Sequence, residues 1–161
     1  MTSLVYYGSP RQARLVAAET LPAKLDLILD RLHLRERVKD EVVALKVHTG
    51  CNISYSVIHP VFIRKVVQAI KDGGGKPFLV DLDWVVNGAE SRGYTPEVIG
   101  CPIYPAAGPN ERHFYAHERQ FKNLDTWKVC GMIEEASFLV NFAHAKGHPS
   151  CSYGGAFKNL A

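Results

Sequence analysis

The segment from Glu41 to Asp83 leaves this chain few choices of fold. Glu41-Val42-Val43-Ala44-Leu45-Lys46-Val47-His48 is a continuous apolar run rather than an alternating one. That is the pattern of a strand buried on both faces of a parallel sheet. His59-Pro60 then opens a helix that runs through Asp72, with Phe62, Val66, Ala69 and Ile70 on one stripe. Gly73-Gly74-Gly75 closes it, as glycine does past a helix end. Pro77-Phe78-Leu79-Val80-Asp81-Leu82-Asp83 supplies the next strand. Strand, loop, helix, glycine turn and strand make a βαβ unit.

A further apolar run, Ser137 to Ala143, stops abruptly at a polar segment punctuated by glycines, His144 to Asn159. This reads as a buried strand delivering a loop to the carboxyl edge of the sheet, where open α/β proteins place their ligands. Upstream, Leu4 to Tyr7 forms a short edge strand or an irregular lead-in, and Ser9-Pro10 resembles a helix start. Leu15, Ala18, Leu21, Leu25, Ile28, Leu29 and Leu32 follow a helical period. Pro22 interrupts it, which predicts two helices or one kinked helix. In the middle, Val98 to Tyr104 reads as a short strand. Glu111 to Glu118 reads as another, with His113, Tyr115 and His117 on one side, and Trp127 to Ala136 as a short helix. The expected architecture is a single three-layer α/β domain over residues 1–161, a mostly parallel sheet flanked by helices.

The 161 residues suffice for one domain, and 47% hydrophobic with 22% charged content is ordinary for a globular protein. The formal charge of +3 comes without a basic stripe interleaved with aromatics, so nucleic acid is not an expected partner. The most basic stretch, Arg31 to Lys39, is broken by Leu32, Leu34, Glu36 and Val38 and reads as a solvated helix end or connector. No apolar run has the length to span a bilayer, and no signal-peptide pattern opens the chain. Cys51, Cys101, Cys130 and Cys151 are scattered. That spacing argues against a ferredoxin-type cluster, a zinc finger or a disulfide framework within the chain. The expectation is a cytoplasmic protein with reduced thiols and no membrane association.

Three of the predicted strands end in polar pairs spaced two apart: Lys46 and His48, Asp81 and Asp83, His144 and Lys146. Alternation puts each pair on one side, and parallel strands would bring all three to one edge. A lysine inside Val-Ala-Leu-Lys-Val needs a partner, and Asp81 or Asp83 can supply it. Lys46, His48, His144 and His148 are the candidates for acid–base chemistry. Asp81, Asp83, His48 and His144 are the candidates for a divalent metal. Lys146, Gly147, Gly154, Gly155, Lys158 and Asn159 are the candidates for gripping an anion or cofactor, with the glycines at φ > 0 cupping it by their N–H groups. The structural alternatives are a Lys–Asp pair and satisfied histidines at strand ends. His59 reads as a helix flank, His113 and His117 have no identifiable partner, and Cys151 reads as an inert thiol. No Gly-x-Ser-x-Gly, P-loop or dinucleotide fingerprint occurs.

Together Lys46-Val-His48-Thr-Gly50, Pro60 with its helix, Lys76-Pro77-Phe78-Leu79-Val80-Asp81, and His144-Ala-Lys146-Gly147-His148 with Gly154-Gly155-Ala-Phe-Lys158-Asn159 are carried by the chain from about Val42 onward. This set resembles the domain-of-unknown-function family DUF362. The resemblance implies an association with iron–sulfur proteins, because many family members carry a separate ferredoxin-like module with four-iron–four-sulfur clusters. The ligands of such a cluster are absent from this sequence. Two departures stand out: Cys51 occupies a place where an acidic residue is common, and family chains continue past the Lys-Asn-Leu segment. The expectation is therefore the N-terminal portion of a longer family domain. The spacing of His148 and Lys158 around Gly154-Gly155 is also similar to that in nickel-pincer lactate racemases. There the lysine tethers the cofactor and histidines relay protons.

Two functions follow from this reading. One is an enzyme or cofactor-binding domain with an anion-, cofactor- or metal-binding crevice. The other is a non-catalytic scaffold or electron-transfer partner of an iron–sulfur module, or an inactive truncated member. Expected partners are a small anionic ligand, a ferredoxin-like module or subunit, and a second copy in a homo-oligomer.

Overall fold

The computed structural model describes residues 3–50 and 56–160, so Cys51 and the chain ends lie outside the described residues. Residues 3–16 carry no regular structure, so Leu4 to Tyr7 is the irregular lead-in and Ser9-Pro10 starts no helix. After a single 3-10 turn, Ala17–Glu19, come α1 (Leu21–Arg31) and α2 (Leu34–Arg37). Pro22 begins α1 instead of interrupting a longer helix. Its missing N–H falls in the first turn, where no intrahelical acceptor exists. Thr20 caps this turn, its hydroxyl accepting the Ala23 N–H at 3.4 Å. The helical break lies further on, at His33, whose φ is 53°.

The βαβ unit forms as its sequence predicts: β1 (Val42–Lys46), α3 (Pro60–Asp72) and β2 (Lys76–Asp81). His59 is the N-cap of α3, its Nδ1 accepting the Val61 N–H at 3.2 Å. Ile63, Val66, Val67, Ala69 and Ile70 are the buried residues of α3 and pack with Val43, Leu45 and Leu79 of the sheet. Full burial of each larger side chain contributes about 1.5–3 kcal/mol. The helix ends in a Schellman motif: the Gly75 N–H donates to Ile70 O and the Gly74 N–H to Lys71 O, both at 2.9 Å. Gly74 takes the left-handed conformation this requires, with φ of 84°.

The rest departs more from the pattern. Short helices α4 (Asp83–Val86) and α5 (Pro96–Ile99) precede β3 (Ile103–Pro105), so only the last part of Val98 to Tyr104 is strand. The strand expected over Glu111 to Glu118 is β4 (Phe114–Phe121), and His113 precedes it. Trp127 to Ala136 is not a helix. Its first half belongs to β5 (Leu124–Cys130), antiparallel to β4, and only α6 (Gly131–Glu134) is helical. The physical reason is pairing: His117 sits opposite Trp127 and Tyr115 opposite Val129, residues that favour a pleated surface. Then follow β6 (Phe138–Asn141), a small antiparallel ribbon of β7 (Lys146–His148) and β8 (Ser152–Gly154), and α7 (Ala156–Leu160).

The main sheet has the order β3-β2-β1-β6 and is parallel throughout, giving a mixed α/β fold with helices flanking a four-stranded sheet. Val43, Leu45 and Leu79 face the core built by α1, α2, α3 and α5. Ala44, Phe78 and Val80 face the other way, against Ala106 and, from α6, Met132 and Ile133. Among the described residues no helix is long and apolar enough to cross a membrane.

Candidate functional site

Register decides which polar groups meet. Lys46 lies opposite Val80 on β2 and Asn141 on β6, so the carboxyl ends of the three strands share one edge. Lys46 is only 8% exposed and Asp81 only 2%. The Lys46 ammonium has three protons and three acceptors: Asp81 Oδ1 at 3.0 Å, Asn159 Oδ1 at 3.1 Å and Val47 O at 3.3 Å. A lysine so buried and so fully used holds the edge together. Asp81 is equally occupied. Its Oδ1 also accepts the Leu82 N–H at 2.9 Å, and its Oδ2 accepts the Thr49 N–H at 2.8 Å and the Thr49 hydroxyl at 3.3 Å.

His48 completes the group. Its Nδ1 lies 3.4 Å from Asp81 Oδ2, while its side chain is 36% exposed. A carboxylate facing Nδ1 keeps the proton there, which turns the Nε2 lone pair outward. Burial pushes the Asp81 carboxyl up, but the contact with His48, the charge of Lys46 and the Thr49 N–H outweigh it and hold it below the usual carboxylate range.

The loop that carries Thr49 is fixed from behind. Arg92 donates from Nε to Thr49 O at 2.6 Å and from an Nη to Gly50 O at 3.2 Å and Val85 O at 3.3 Å. Gly50 has φ of 92°, and a Cβ there would stand 2.8 Å from Val57 Cγ1 and 3.0 Å from Arg92 Nε. Glycine alone lets the guanidinium lie this close. The fully buried Tyr94 hydroxyl donates to Ile58 O at 2.5 Å, ahead of α3, and burial pushes it up to about 12.

Above the edge lie β7, β8 and α7. The expected glycine loop is in fact this ribbon, with Lys146 opposite Gly154 and Gly147 opposite Tyr153. Gly147, Gly154 and Gly155 accordingly do not take positive φ; Ser152, with φ of 59°, makes the turn. The Lys146 ammonium donates to Ser56 O at 2.7 Å, fastening the ribbon over the loop ahead of α3. His148 Nδ1 accepts the Ser150 N–H at 3.1 Å. Desolvation, then the charges of Lys158, Lys146 and His48, lower the His148 imidazole below its ordinary value. With Nδ1 accepting, the proton of the ring sits on Nε2.

The structure thus brings together Lys46, His48, Asp81 and Asn159 in one network, with His148 within range of the charges of Lys158, Lys146 and His48. It sets two candidates apart. Asp83 opens α4 and accepts from Asn87 Nδ2 at 3.4 Å, because β2 ends at Asp81 and its alternation ends with it. His144 is exposed, three residues beyond the end of β6. Among the described residues no three His, Cys, Asp or Glu side chains gather as a metal site. The oxygens of Asp81 are already taken up by Lys46, Thr49, the Leu82 N–H and the contact with His48. Cys101 is buried, with its thiol pushed up to about 11 by burial, Cys130 is half-buried, and Cys151 is exposed.

Sequence reasoning missed Thr49, Arg92 and Asn141. Asn141 carried a signal, being the one amide inside an otherwise apolar strand; Arg92 carried none.

Residues 43–161 match the family described as domain of unknown function (DUF362), and the chain belongs to that family. No curated protein and no solved structure matches it.

Proposed function

We propose that this DUF362 chain binds a small anionic molecule at the carboxyl edge of its sheet and moves a proton on it. The observation that carries this reading is the contact of the buried Asp81 carboxylate with Nδ1 of the partly exposed His48. A fixed carboxylate behind an imidazole sets its tautomer and leaves the Nε2 lone pair to take a proton. His148 is its complement, an imidazole whose Nδ1 accepts from Ser150 and whose Nε2–H can hydrogen-bond a developing negative charge. One ring takes the proton where the other steadies the charge left behind. Lys158 and Lys146 supply positive charge beside the two rings, and the Lys46–Asp81 pair beneath them is neutral as a unit. That end of the sheet is therefore electropositive and favours an anion.

On this reading the protein works in the cytoplasm, with a ferredoxin-like module as a partner. The test uses small carboxylates and inorganic phosphate as probes, with the histidine resonances followed by NMR. Lys158→Ala is expected to weaken binding about tenfold, equivalent to ~1.4 kcal/mol. His48→Ala is expected to retain binding but to lose solvent-deuterium exchange into a bound carboxylate's carbon acid. Binding that is the same in both variants as in the parent protein would sink the assignment. A visible absorption shoulder in the purified protein would favour the electron-transfer reading instead.

A further inference from the structure

Asn141 and Asn159 belong to no catalytic group, yet they are the polar side chains that tie α7 to the sheet. Asn159, 8% exposed, donates from Nδ2 to Lys46 O at 3.0 Å and to Asn141 Oδ1 at 2.7 Å. Its Oδ1 accepts from the Lys46 ammonium at 3.1 Å. Asn141 closes the ring by donating from Nδ2 to Ala156 O, in the first turn of α7, at 2.9 Å. A five-residue helix has no stability of its own. Its exposed Phe157 (92%) and Leu160 (50%) contribute little packing that would hold it. Its seat therefore depends on these amides, and Lys158 is the residue next to the clasp.

We propose that Asn141 and Asn159 form an amide clasp that seats the terminal helix on the ends of β1 and β6 and thereby positions Lys158 beside His148. They are positioning residues, since neither needs to touch a ligand. Asn159 also accepts from the ammonium that pairs with Asp81, so one hydrogen-bonded path runs from α7 through Lys46 to Asp81, which contacts His48. The placement of the anion-gripping lysine and the orientation of the base are then set by one network. Asparagine suits the role because its amide donates and accepts at once, which neither aspartate nor leucine can do. Only the catalytic meaning of this clasp rests on the proton-transfer reading; its geometry does not.

The experiment uses the ligand-free full chain. The titration of His148 is followed by NMR in the parent protein and in Lys158→Ala, Asn159→Ala and Asn141→Ala. Removing the charge of Lys158 is expected to raise the His148 midpoint. Unseating α7 with Asn159→Ala is expected to raise it by a similar amount although Lys158 is still present, with a smaller rise in Asn141→Ala. Should Asn159→Ala disturb folding, Asn141→Ala, whose partners are more exposed, carries the test in a protein with an intact spectrum. A His148 midpoint that moves in Lys158→Ala but in neither asparagine variant would overturn the clasp. So would a midpoint that moves in none of the three. If the midpoints shift as expected while carboxylate and phosphate binding is indifferent to Lys158, the clasp stands and the proton-transfer reading falls.

Discussion

The carboxyl edge of the sheet and the β4–β5 ribbon both join histidines to carboxylates, and they differ in almost everything else. At the edge, Asp81 is buried and takes donors from Lys46, Thr49 and the backbone at once. On the ribbon, His113 Nε2 meets Glu135 Oε1 at 3.0 Å and His117 Nε2 meets Glu134 Oε1 at 3.1 Å, with all four side chains between 35% and 50% exposed. The Tyr115 hydroxyl adds a bond to Glu135 at 2.8 Å. The distances are as good on the ribbon as at the edge. What differs is the solvent: water and salt screen the ribbon pairs, whereas a buried charge that loses its partner has nothing to replace it. Pair geometry alone therefore does not rank the two regions.

The sharpest break in this comparison is Asp81→Ala. It strands the Lys46 charge in the sheet and is expected to destabilise the fold by about 3–5 kcal/mol in urea unfolding. The double replacement Lys46→Met with Asp81→Leu should recover much of that loss, because no charge is then left unpaired. An equal loss in the double variant would mean the network matters by its shape rather than its charge.

Acid titration probes the same carboxylate without mutation. The folded Asp81 titrates below its ordinary value of 3.8, so its contribution is present above that value. It is lost as pH falls through the lower, folded value. Unfolding free energy followed from pH 6 downward should therefore decline more steeply in the parent protein than in Asp81→Asn.

On the ribbon side, Gly131→Ala should cost about 1–2 kcal/mol. Its Cβ would lie 2.4 Å from the His113 ring, forcing the imidazole off Glu135, but a half-exposed side chain can move aside. Smallest of all, Glu134→Gln should cost no more than about 1 kcal/mol and lose its effect in 1 M salt. A Glu134→Gln effect as large as that of Asp81→Ala would erase the distinction between the two regions.

Sequence legibility follows the same divide. The span from β1 to β2 could be read to within a residue or two, since apolar runs, an N-capping His59 and three glycines are all local signals. The ribbon could not, because Trp127 and Val129 become strand only by facing His117 and Tyr115. At the site, Lys46 declared its need for a carboxylate, and Asp81 answered it. At His144 the expected alternation does not hold, because the strand stops at Asn141. The glycines near the end do not form the cup that their spacing suggests, because ladder pairing with Lys146 draws them into extended backbone.

The sequence by itself determined the parallel βαβ unit, the glycine-terminated helix and the presence of a lysine that could not stay buried alone. Each depends on neighbours within a turn or a strand length. Only the tertiary structure decided that the Lys46 ammonium is shared between Asp81 and Asn159, the latter 113 residues away. A buried polar group requires some partner, but which one it receives depends on strand register and on where the last helix comes to rest. No local pattern of residues encodes that distance.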